Sequence, residues 1–149
     1  LDLFAGVGSM GLEAVSREAK SVVFVEKNRH IFALLEQNIE SLGCAGRVSA
    51  MLGDALGSTA LLRASRPVDI MFIDPPYLMM KDERTRGLVL EQISRCREIM
   101  NPKGFAILRT PLDPEEVSHE VEGFEGPEVR DYGRTGMRVL LYQPGGVNC

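Results

Sequence analysis

The chain has few of the residues that build metal centres or disulfide frameworks. Its 149 residues include three cysteines, Cys44, Cys96 and Cys149, and two histidines, His30 and His119. The cysteines show no metal-ligand spacing and no even count, which excludes a disulfide scaffold and argues against zinc. No metal is expected. Long apolar runs are missing too. No stretch approaches the roughly 20 residues that cross a bilayer, and no signal peptide is visible, so a reducing, cytoplasmic setting away from membranes is expected. Nor is there a surplus of positive charge. Lys and Arg number 17 against 21 Asp and Glu, a net charge of −4. That balance is wrong for a surface that grips nucleic acid by neutralising phosphates. His30 falls early in an expected helix and His119 in an acidic stretch, so both are read as surface residues.

What is present is a sequence able to bury a core. Hydrophobic residues make up 44% of the chain, enough for one domain over residues 1–149. Strand-like and helix-like segments alternate. Ile31, Leu34, Leu35, Ile39 and Leu42 mark one helix face, with Gly43 as the stop. Thr85 to Met100 reads as a helix with Leu90, Ile93 and Met100 inward, ended by Asn101-Pro-Lys-Gly104. Phe105 to Leu108 reads as a fifth strand, and Asp113-Pro114-Glu-Glu as the capped start of a short helix. Glu128 to Tyr132 and Met137 to Tyr142, around Gly133-Arg-Thr-Gly136, suggest a final hairpin. The expected architecture is α/β and Rossmann-like: a doubly wound, mostly parallel sheet with an antiparallel C-terminal hairpin.

The chain opens Leu1-Asp-Leu-Phe-Ala-Gly6-Val-Gly8-Ser-Met-Gly11, then a helical pattern through Leu12, Val15 and Ala19. Gly6 and Gly8 permit a tight turn and close approach of a ligand to backbone; Gly11 lets the helix pack near the strand. The same glycine spacing serves nicotinamide dinucleotides, so the glycines alone do not choose the cofactor. Asp2 bears on the choice. A carboxylate entering this loop would repel a pyrophosphate but could face the ammonium of an amino acid, such as the methionine part of S-adenosylmethionine; its bland alternative is a turn cap. Glu26 ends the second strand, Ser21 to Val25, about 20 residues beyond the first glycine. An acid there binds ribose hydroxyls or simply favours the next helix dipole. Asp54, in Gly53-Asp54-Ala55 after a strand around Arg47 to Leu52, could accept from an adenine amino group or cap the helix running to Leu62.

After a fourth strand, Val68 to Ile73, stands Asp74-Pro75-Pro76-Tyr77. In an open α/β sheet, ligands bind beyond the carboxyl ends of strands. A carboxylate and the Pro75 carbonyl can accept the two hydrogens of an exocyclic NH2, and Tyr77 can stack on the ring that carries it. Pro75 and Pro76 fix φ and offer no N–H. Taken alone, the four residues could equally be a proline-rich turn.

Together these features resemble the class I S-adenosylmethionine-dependent methyltransferases. The form LDLFAGVGSMGLEAVSR…VVFVEKN…GDA…DPPY…YGRTG is most similar to the RsmD-type ribosomal RNA guanine-N2 methyltransferases, from Leu1 to about Tyr142. The resemblance implies cofactor contacts at Asp2, Gly6, Gly8, Glu26, Lys27, Asp54 and Ala55, and an amine-binding loop at Asp74, Pro75, Pro76 and Tyr77. It implies S-adenosylmethionine as cofactor, and ribosomal RNA or the small ribosomal subunit as partner. Such enzymes carry a basic segment before the glycine loop, which is expected to be missing here. Lys81, Arg84, Arg86, Arg109, Arg134 and Arg138 are candidates for an RNA path, although a solvated rim is the simpler reading of each. A monomer is expected.

The chemistry implied is alignment. The amine lone pair is delocalised into the base, and hydrogen bonds to Asp74 and the Pro75 carbonyl would turn it toward the sulfonium methyl. The base would be unstacked and held against Tyr77. Two alternatives remain: an adenine-N6 enzyme using the same tetrapeptide, and a nicotinamide oxidoreductase, which would need a substrate domain that this length lacks.

Overall fold

The computed structural model describes residues 1–132 and 136–146. They form two compact units, Leu1–Ser65 and the chain from Arg66 onward.

The first unit runs β1 (Asp2–Leu3), α1 (Ser9–Ser16), β2 (Val22–Glu26), α2 (Arg29–Ser41), β3 (Val48–Leu52) and α3 (Ser58–Arg63). Its strands lie in the order β3-β2-β1, all parallel. Val22, Val23, Phe24 and Val25 are all buried, as a strand covered on both faces requires. Phe24 packs with Val15 of α1 and with Leu35 and Ile39 of α2. Asn28 caps α2, its side chain accepting from the His30 and Ile31 N–H groups at 3.0 and 3.2 Å, and Gly43 follows its end at φ 63°. The buried stripe of α2 is narrower than its spacing suggests. Leu35 and Ile39 are buried, whereas Leu34 and Leu42 face solvent.

The second unit contains β4 (Val68–Ile73), α4 (Tyr77–Lys81), α5 (Glu83–Cys96), β5 (Met100–Thr110), β6 (Phe124–Asp131) and β7 (Arg138–Pro144). Its strand order is β4-β5-β7-β6, with β4 and β5 parallel and β7 antiparallel to both its neighbours. The architecture is thus the expected one: α/β, mostly parallel, closing in an antiparallel C-terminal pair. Residues 133–135, Arg134 among them, lie outside the described residues, as does Cys149.

Several boundaries differ from expectation. The segment after the Pro-Pro pair is two helices, with Asp82 capping the second through the Thr85 N–H at 2.8 Å. Met100 belongs to β5, not to a helix. Asn101 to Gly104 does not stop the chain between elements. Instead, the partner of β4 jumps from Met100 to Phe105, and the four residues bulge while Asn101 bonds Asp69 and the Lys103 N–H, both at 2.9 Å. Asp113 opens only a turn. Its carboxylate takes the Glu115 N–H at 3.0 Å and Arg138 at 3.0 Å.

His119 is the largest departure. It is 2% exposed, not at the surface. Its Nδ1 lies 2.6 Å from the Val117 carbonyl; a carbonyl can only accept, so Nδ1 carries the proton. Nε2 then accepts from the Thr110 hydroxyl at 3.1 Å, and the His119 carbonyl accepts from the Tyr142 hydroxyl at 2.8 Å. Burial pulls the imidazole below its ordinary pKa, helped by the Arg86 charge and opposed by the Val117 bond.

Candidate active site

The glycine loop is shaped by backbone that side chains resist. Phe4, Gly6 and Gly8 have φ of 60°, 58° and 93°. For phenylalanine a left-handed conformation is uncommon, and such conformations concentrate at binding sites. The two later glycines serve packing. A Cβ on Gly11 would sit 2.2 Å from Phe24 Cε1, and one on Gly8 would sit 2.5 Å from Leu35 Cδ1. Gly6 differs: a Cβ there would meet no atom within 4 Å. The loop therefore presents bare backbone to open space at Gly6 and packed backbone at Gly8 and Gly11.

Two carboxylates hold this loop. Asp2 is 2% exposed, and its Oδ2 accepts from the Gly11 N–H at 2.9 Å, inside the first turn of α1 where the helix dipole favours an anion. Glu26 Oε2 accepts from the Gly6 N–H at 2.9 Å, and Oε1 from the Asn28 N–H at 2.7 Å. Each carboxylate oxygen of Glu26 keeps a further lone pair. At the end of β3, Asp54 Oδ1 accepts from the Leu56 N–H at 3.0 Å. It caps no helix, because the residue before α3 is Gly57, which makes no side-chain cap. Asp54 and Lys27 are exposed and Ala55 is buried.

In the second unit, Asp74 follows β4 directly and Tyr77 opens α4. Pro75 is buried, while Tyr77 is 53% exposed. The Pro76 carbonyl accepts from the Met79 N–H at 2.9 Å. Short α4 is pinned from α5: the Thr85 hydroxyl donates to the Met79 carbonyl at 2.7 Å, and Arg86 Nη1 to the Met80 carbonyl at 3.0 Å. Asp74 Oδ2 accepts from Arg109 Nη1 at 2.8 Å. Sequence reasoning placed Arg109 among candidate RNA contacts and missed this pairing. The signal was register: Ile73 and Leu108 are cross-strand partners, so the next residue of each parallel strand stands side by side. Of the other basic candidates, Arg86 is tied to α4 and Arg138 to Asp113. Lys81 and Arg84 are exposed.

The family model described as Conserved hypothetical protein 95 matches residues 1–141. The chain belongs to this family, the RsmD-type methyltransferases. It is similar to the Ribosomal RNA small subunit methyltransferase D of Haemophilus influenzae, 33% identical over 92 residues, covering 61% of this chain and 48% of that relative. It is also similar to the protein of that name from Escherichia coli K12, 35% identical over 94 residues, covering 63% and 42%. The chain thus spans about half the length of these curated relatives or less. Among solved structures, "Putative methyltransferase yhhF" from Escherichia coli superposes with a TM-score of 0.71 at 24% identity, over 96% of this chain and 73% of that one. The fold is that of the class I methyltransferases.

The first unit suits the methyl donor that RsmD-type membership implies, S-adenosylmethionine. The backbone of Gly6 faces open space that a Cβ would enter, the spare lone pairs of Glu26 can accept ribose hydroxyls, and exposed Asp54 can accept from an amino group. Asp2, being buried against Gly11, also fixes the loop from below.

Proposed function

We propose that this chain is the catalytic domain of an S-adenosylmethionine-dependent RNA methyltransferase, acting on the exocyclic N2 amine of a guanine in small-subunit ribosomal RNA. The observation that carries this reading is the Asp74-Pro75-Pro76-Tyr77 loop. It offers an anchored carboxylate and a half-exposed aromatic ring at the carboxyl end of a parallel strand. When bound, S-adenosylmethionine supplies an electrophilic methyl on a sulfonium.

The protein's part is to present the amine. Asp74 Oδ1 and the Pro75 carbonyl accept its two N–H bonds, which draws the nitrogen out of conjugation and frees its lone pair. Tyr77 stacks on the unstacked base and holds its plane. The amine proton leaves during or after methyl transfer. Glu26 and Asp54 grip ribose and adenine, and the Asp2–Gly11 bond keeps the loop in register. Alignment of this kind is worth about 7–11 kcal/mol in ideal cases.

The test is methyl transfer from labelled S-adenosylmethionine by the complete protein to unmodified small ribosomal subunits, naked ribosomal RNA and DNA, with products digested to nucleosides. Label in N2-methylguanosine is the expected result. Label in N6-methyladenine would keep the mechanism and replace the substrate, and no label in any nucleic acid would overturn the proposal.

A further inference from the structure

We propose that Arg109 is a positioning residue for Asp74, an inference that rests on the amine-binding role of the Asp74 loop. Arg109 Nη1 lies 2.8 Å from Asp74 Oδ2, with the two side chains 36% and 31% exposed. A single, partly exposed ion pair adds only modestly to stability, so folding energy alone does not account for its placement. Geometry does. Asp74 is the first residue past β4 and Arg109 the penultimate residue of β5, adjacent in register. A strand holds the guanidinium on rigid backbone, and a charge-assisted bond to Oδ2 selects one rotamer of the carboxylate. Oδ1 is then the oxygen turned to the amine. Without the guanidinium, a short, partly exposed aspartate samples other staggered rotamers, and the amine loses its fixed acceptor.

A role through Asp74 differs from a role in gripping RNA, and from a purely structural one. A phosphate contact would raise KM; a structural contact would lower the melting temperature. A positioning residue lowers kcat, because misplacement of about 1 Å costs on the order of 100-fold. Its effect also vanishes when Asp74 is already disabled.

The experiment measures kcat and KM for methyl transfer by the complete wild-type protein and its Arg109→Gln, Arg109→Lys, Asp74→Asn and Asp74→Asn/Arg109→Gln variants. Crystal structures of wild type and Arg109→Gln are compared alongside. The expected outcome is a fall in kcat of about 30- to 100-fold in Arg109→Gln with KM within about threefold. Arg109→Lys should recover most of the loss. Arg109→Gln should add little to Asp74→Asn, and Asp74 should occupy one rotamer in wild type but several in Arg109→Gln. A normal kcat, a loss confined to KM, or losses that multiply in the double variant would each overturn the inference. If the wild type transfers no methyl group to any substrate, the function proposed above fails, and the crystal structures alone decide Arg109: an unchanged Asp74 rotamer in Arg109→Gln refutes its role.

Discussion

Replacing Gly11 with alanine puts a methyl group where three atoms already stand: Phe24 Cε1 at 2.2 Å, Phe24 Cζ at 2.8 Å and Asp2 Oδ2 at 3.0 Å. The phenyl ring cannot swing aside freely, because Phe24 is fully buried among Val15, Leu35 and Ile39. Overpacking of this kind costs about 1–3 kcal/mol. The displaced Asp2 carboxylate also loses part of its bond to the Gly11 N–H, and bonds to charged groups are worth about 1.5–3 kcal/mol. A total near 3 kcal/mol corresponds to a melting-temperature drop of roughly 6–12 °C for a chain of this size. Gly6→Ala is the contrast. It meets no atom, so its stability cost comes only from the left-handed φ, about 1–2 kcal/mol. If Gly6 borders the cofactor as proposed, its larger effect should be on S-adenosylmethionine binding. Thermal denaturation by circular dichroism and S-adenosylmethionine binding by calorimetry separate the two effects. If Gly11→Ala melts within about 1 °C of wild type, the packing argument is wrong. If Gly6→Ala binds cofactor normally, the cofactor does not approach Gly6.

Buried His119 should make the protein acid-sensitive. Its folded pKa lies below the ordinary value of 6.5, so the unfolded chain binds the extra proton first. The stability it contributes is complete above about pH 6.5 and is lost as pH falls toward the folded pKa. Urea unfolding at pH 7.5 and 5.5 should show this decline, and His119→Gln should flatten it; an equal slope in the variant would refute the assignment. Tyr77→Ala should leave stability within about 0.5 kcal/mol, since the ring is half exposed. Loss of stacking on the target base, about 1–3 kcal/mol, should appear as a rise of roughly 5- to 150-fold in KM/kcat for RNA. An unchanged ratio would remove Tyr77 from the base-binding surface.

Local chemistry explains which parts were legible in the sequence. β2 was readable because four consecutive β-branched or aromatic residues permit little else. The Asp74 loop was readable because two prolines after an apolar strand fix a backbone. The glycine loop was legible in outline, yet the division of labour within it was not: spacing cannot tell an open glycine, Gly6, from packed ones, Gly8 and Gly11. His119 misled because Glu115, Glu116, Glu120 and Glu122 surround it in sequence, whereas its partners, Thr110 and Tyr142, arrive from β5 and β7. Asn101-Pro-Lys-Gly104 carries turn residues and does turn, but as a bulge inside a strand whose pairing resumes at Phe105. Arg109 could be understood only once β4 and β5 were known to be neighbours.

In the proposed function, Asp74 acts on the amine and not on the cofactor. Asp74→Ala tests it most directly, with transfer to ribosomal RNA and S-adenosylmethionine affinity measured on the same preparation. Transfer should fall by at least about 1,000-fold, with a cofactor Kd within about twofold of wild type. Near-normal turnover in that variant would contradict it.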